Sequence, residues 1–112
     1  MKTADLAIFD EMPFFAWAKD ADGTYLWVNK TLAGFADVDI VGKKDYELPW
    51  AADSGMLVAD DQEVLITGND LFRHEMVMNL ANGRTVTLNV CKCLKELDGK
   101  RCTFGVSFAI DE

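Results

Sequence analysis

The sequence predicts an α+β domain: a single five-stranded antiparallel sheet, with short helices on one face and an N-terminal helix on the other. Three observations carry this. Two short aromatic-rich runs flank Asp22-Gly23 near the start, residues 37–68 follow a helical spacing, and the last third alternates with period two around Asn82-Gly83 and Asp98-Gly99. At 112 residues the chain has room for one core, so it is expected to be one domain over 1–112, with a cap helix at 3–12 and a core at 14–110.

In order, Leu6, Ile8, Phe9 and Met12 recur near helical spacing, and Pro13 ends the helix expected over Thr3 to Met12. Phe14 to Lys19 and Thr24 to Val28 read as a hairpin around an Asp-Gly turn. Asn29 is a good N-cap, and Leu32, Phe35 and Ala36 give the next helix its buried stripe. Gly42, Pro49 and Gly55 break the following stretch into short pieces before one longer helix. There Leu57, Val58, Val64 and Leu65 share a face with Asp61, and Gly68 is placed to end it. Strands follow over Leu71–Asn79, Arg84–Glu96 and Arg101–Ile110.

Alternation assigns Val86, Leu88, Val90 and Leu94 to one face of their strand, and Thr87, Asn89, Cys91 and Cys93 to the other. In the last strand Cys102, Phe104, Val106, Phe108 and Ile110 oppose Thr103, Gly105, Ser107 and Ala109. A three-residue Asp98-Gly99-Lys100 loop would set Leu97 opposite Arg101 and Cys91 opposite Ser107. Leu88 and Val90 then join Val106, Phe108 and Ile110. One face is apolar, the other small and mildly polar, and both need a cover.

Composition excludes other classes. Half the chain is hydrophobic, with 7 Phe and 3 Trp, which is incompatible with disorder. No apolar run approaches the ~18 residues of a membrane span, and no secretory signal is legible, so the expected compartment is the cytoplasm without membrane contact. A net charge of −8 argues against nucleic-acid binding. Nine acids between Asp37 and Asp70 face only Lys43 and Lys44, a distribution read as a solvated helical face. Cys91, Cys93 and Cys102 are expected to be free thiols and small core residues, with no metal site.

The order of elements resembles the PAS sensory domain. The resemblance is carried by Lys19-Asp20-Ala21-Asp22-Gly23-Thr24-Tyr25-Leu26-Trp27-Val28-Asn29-Lys30, by Ile40-Val41-Gly42-Lys43-Lys44-Asp45-Tyr46-Glu47-Leu48-Pro49-Trp50, and by Asp60-Asp61-Gln62-Glu63-Val64-Leu65-Ile66-Thr67-Gly68. The second segment is similar to a bacterial subgroup found ahead of sensor kinases, diguanylate cyclases and LuxR-type regulators. Ala109 stands where the family often has an Asp that helps pass signal onward. The helical Asn-Cys-Arg-Phe-Leu motif of flavin-binding relatives is absent, and the single His74 lies in a strand rather than the helical middle. Neither flavin nor haem is therefore expected, and a small organic ligand is left open.

The resemblance implies that the face bearing Gly105 and Ser107 lines a ligand cavity. With the register above, the candidate lining is Trp17, His74, Met76, Met78, Thr87, Asn89, Cys91 and Ser107, joined by Phe15, Lys19 and Phe72. Asp61 is the anomaly of its apolar stripe and needs a partner, from Lys19, Arg73 or His74. A structural tie between helix and sheet is favoured there over a ligand contact. Lys19 is read as a solvent-reaching strand end, and His74 as a core or edge histidine.

The opposite face, with Leu6, Phe9, Leu88, Val90, Phe104, Val106, Phe108 and Ile110, is expected to pack against the N-terminal helix and a second copy. The domain is expected to be a non-enzymatic input unit that binds a small ligand or a partner and acts on an effector beyond these residues. The alternative is a small α+β cone isomerase or dehydratase using Asp61 and His74 as acid and base.

Overall fold

The computed structural model describes residues 1–79 and 84–109. Its antiparallel sheet has five strands: β1 (Phe15–Asp20), β2 (Tyr25–Val28), β3 (Leu71–Asn79), β4 (Arg84–Leu97) and β5 (Lys100–Ala109). They lie in the order β2-β1-β5-β4-β3, so the first hairpin docks on the last strand. Helices α1 (Lys30–Ala36) and α2 (Ser54–Thr67) fill the connection between β2 and β3, with short 3-10 turns at Asp45–Glu47 and Ala51–Asp53. Among the described residues no helix is long and apolar enough to cross a membrane.

Asn29 caps α1 as its type predicts, and it ties down more than that helix. Its Oδ1 accepts the Leu32 N–H (3.1 Å) and the Ala16 N–H (3.2 Å), while its amide donates to the carbonyls of Phe9 (3.0 Å) and Phe14 (2.8 Å). Helix α2 ends at Gly68, whose φ of 72° suits glycine. Its buried side chains are Leu57, Asp61, Val64 and Leu65, at spacings of four, seven and eight. Val58 falls off that stripe and is exposed, contrary to the sequence expectation.

The N-terminal segment is a 3-10 helix over Thr3–Phe9, shorter and tighter than the helix expected to Met12. It covers one end of the outer face: Leu6 is fully buried beside Ala18, Leu97 and Cys102, and the Phe9 and Phe104 rings lie 5.7 Å apart. The Thr3 hydroxyl donates to the Asp98 carboxylate in the β4–β5 turn. A bulge between Ala18 and Lys19 lets Leu26 and Trp27 both pack on this outer cluster while Tyr25 faces inward.

The largest correction is one of register. Leu97 pairs with Lys100, so the β4–β5 turn holds only Asp98 and Gly99, with φ of 51° and 81°. Positive φ at both positions is the backbone of a two-residue type I′ turn, for which Asp-Gly is suited. Shortening the loop by one residue reverses which face each β4 residue occupies. Val90 pairs with Ser107 and Cys91 with Val106, so Leu88 and Val90 belong to the inner core beneath the helices, not to the outer face. Because β3 follows β4, Phe72, His74, Met76, Thr87, Asn89 and Cys91 move to the outer face, as does the register position of Met78. The placements on β1 and β5 agree with the structure. The Asn82-Gly83 turn and Ile110 lie outside the described residues.

Candidate ligand cavity and its buried ion cluster

Between the inner sheet face and the helices is a cavity of about 60 Å³. Aromatic side chains supply much of its wall: Phe15 and Trp17 from β1, Tyr25 from β2, Phe35 from α1 and Trp50 from the loop. Trp17 lies across Gly105, where a Cβ would sit 2.3 Å from the indole Cζ2, so only glycine admits this ring position. Ser107 on β5 also lines the cavity, as do Lys19, Glu75 and Lys92.

These charged groups belong to a buried cluster. Lys19, 1% exposed, sends its Nζ to Asp45 Oδ2 (2.7 Å) and Asp61 Oδ2 (2.6 Å). Asp45 Oδ1 accepts from the Tyr25 hydroxyl (2.7 Å) and the Trp50 Nε1–H (2.8 Å), so its carboxylate is fully engaged. Lys92, also 1% exposed, lies 3.3 Å from Asp61 Oδ1 and 3.4 Å from Glu75 Oε2. Those separations are ion pairs without hydrogen-bond geometry: Lys92 Nζ, Asp61 Oδ1, Glu75 Oε2 and the Trp17 Nε1–H are buried without a hydrogen-bond partner. The cluster joins β1, the Asp45 turn, α2, β4 and β3.

Burial opposes the Lys19 ammonium, but the Asp61 and Asp45 carboxylates outweigh it and raise its pKa. Burial, reinforced by the neighbouring Asp45 carboxylate, holds the Tyr25 phenol well above its ordinary value. Burial also raises Glu75; Lys92 pulls the other way, and the nearby Asp60 adds to the rise.

The structure keeps Trp17 and Ser107 at the cavity and pairs Asp61 with Lys19, one of its expected partners. Lys19 is a buried cation rather than a solvent-reaching strand end. His74 is exposed on the outer face, so it and Asp61 lie on opposite sides of the sheet and form no acid–base pair. Met76 is exposed there as well. The three cysteines are free, with Cys91 and Cys93 half-buried and Cys102 buried.

Sequence reasoning missed Lys92, Glu75, Asp45, Tyr25 and Trp50. For Lys92 the signal was present: it interrupts the apolar alternation of Leu88, Val90 and Leu94, as Asp61 interrupts its helical stripe. The acidic middle is correspondingly not all solvated, since Asp45 and Asp61 are buried against lysines.

The family described as PAS fold matches residues 9–109. No curated protein matches the chain in sequence. Among solved structures it is similar to the VqmA dimer of Vibrio cholerae, studied for the DNA-binding mechanism of LuxR-type receptors. The TM-score there is 0.84 at 16% identity, covering 100% of this chain and 54% of that one. A structure of VqmA bound to DPO gives a TM-score of 0.83 at 16% identity, covering 96% and 57%. The PAS domain of Bordetella pertussis BvgS gives 0.75 at 17%, covering 97% and 85%. The chain thus spans about half the length of the VqmA chains.

Lys19 and Tyr25 both bind their protons more tightly in the folded state, so their contribution to stability is complete below the ordinary values of 10.5 and 10.0 and is lost as pH rises through the raised ones. Melting temperature is therefore expected to fall steeply above about pH 10. The phenolate absorbance that Tyr25→Phe removes should appear in the wild type only together with loss of tertiary circular dichroism. Early ionisation of Tyr25 in a folded protein would contradict this geometry.

Proposed function

The chain belongs to the PAS fold family, and we propose that it is the sensory input domain of a signalling protein, taking a small ligand in the cavity between sheet and helices. The observation that carries this reading is the pairing of aromatic walls with buried polar atoms that have no hydrogen-bond partner, since pockets that select small molecules combine apolar surface with a few placed polar groups. VqmA, whose fold the chain shares, has a structure with DPO bound. The domain acts as one unit over its whole length, in the cytoplasm, without chemistry of its own. Its effector is a histidine kinase, diguanylate cyclase or transcription regulator outside these residues. Ligand binding shifts β1, whose inner side chains Phe15 and Trp17 line the cavity and whose outer Ala18 packs under Leu6.

The output side is the outer face, where a second copy docks. Phe72 and Met76 on β3 and Phe108 on β5, with β4 between them, are 71%, 61% and 48% exposed there, large apolar side chains on one face of the sheet. Leu6 is already covered, and Leu88 and Val90 belong to the core, so they leave the expected interface.

Two measurements test these statements. Native mass spectrometry of the purified chain should show an added small-molecule mass that Ser107→Leu, which fills the cavity, abolishes. Unliganded protein after expression in several hosts and exposure to their extracts would count against a ligand sensor. In sedimentation the wild type should dimerise at micromolar concentration and Phe108→Glu should weaken association at least tenfold; a monomer at all concentrations sinks the dimer.

A further inference from the structure

Resting on the reading of this cavity as a ligand site, we propose that it recognises a neutral head group carrying a hydrogen-bond acceptor and a donor on the same carbon, as in an amide, rather than an anion or a cation. Two buried lysines at first suggest an anion site. They are outnumbered, because Asp45, Asp61 and Glu75 are buried in the same cluster, all within 4% exposure. An added anion would meet an excess of carboxylates away from water.

The free valences point the same way. Of the residues that line the cavity, Lys92 and Trp17 carry donors without a hydrogen-bond acceptor, at Nζ and Nε1–H, and Glu75 carries an acceptor without a hydrogen-bond donor, at Oε2. A ligand with acceptors only, such as a carboxylate, satisfies the two donors and leaves Glu75 Oε2 without a hydrogen bond. A ligand with donors only, such as an amidinium, does the reverse and sets its charge beside the Lys92 ammonium. A head group with both kinds of atom satisfies both, and the cost of a buried unpaired polar group makes this the deciding term. Lys92 Nζ and Glu75 Oε2 are 3.4 Å apart and both residues line the cavity, so one ligand edge meets the two together. An engineered cavity of about 150 Å³ holds benzene, so about 60 Å³ suits a head group of a few atoms rather than a whole ring.

Acetamide, acetate and acetamidinium have the same shape and differ only in this pattern. They are titrated separately into the nitrogen-15-labelled chain, following the Trp17 indole N–H resonance, with the indole signal of Trp27, which packs on the outer cluster, as the internal control. Acetamide is expected to shift it saturably and to bind at least tenfold tighter than either ion. Glu75→Gln, which supplies an amide donor and removes a negative charge, is expected to move the preference towards acetate. Tighter binding of acetate or of acetamidinium by the wild type overturns the inference and leaves the ligand cavity standing. No saturable shift with any of the three, with water alone occupying the site, overturns both.

Discussion

Two lysine ammonium groups are buried in this small domain, and the rest of the structure depends on how they are neutralised. Removing a charge from water costs several kcal/mol even after relaxation, so Lys19 and Lys92 are tolerable only where carboxylates meet them. Those carboxylates come from distant parts of the chain: Asp45 from a 3-10 turn, Asp61 from α2 and Glu75 from β3. The connection between α1 and α2 has little regular structure, and Asp45 fixes it by holding Lys19, the Tyr25 hydroxyl and the Trp50 indole at once. Charge neutralisation thereby sets the height of the helical layer above the sheet and the space left between them.

The same cluster gives the cavity its chemical character. Asp45 is saturated, whereas the Lys92–Glu75 end is paired by charge without hydrogen bonds, so the polar capacity is concentrated at one end of an aromatic enclosure. Gly105 extends that enclosure by letting the Trp17 ring lie against the sheet. Strand β1 carries Lys19 and Trp17 inward and Ala18 outward beneath the N-terminal 3-10 helix, so one strand connects the cavity to the outer surface.

Local signals made most of the fold legible. Hairpin turns, the Asn29 cap, the Gly68 stop and period-two alternation define the five strands and two helices. The site was less legible because it depends on register. Whether Asp98-Gly99 closes a loop of two residues or three exchanges the faces of β4 and β3 together, and that single step displaced seven candidate cavity positions while leaving Trp17 and Ser107 in place. The β3–β4 pairing carries the same facing as expected, so no second error is needed. Asp45 was not legible for another reason: an acid among acids in a loop has no periodicity to violate, and only tertiary packing distinguishes it from a solvated one.

The central claim is that Lys19 and Asp61 form a buried tie between sheet and helix, and a double-mutant cycle in urea tests it most directly. Lys19→Met and Asp61→Leu should each cost ~3–5 kcal/mol by stranding a buried partner. The double variant should cost far less than their sum. Single losses below ~1 kcal/mol that simply add, as for an exposed pair, would contradict the account.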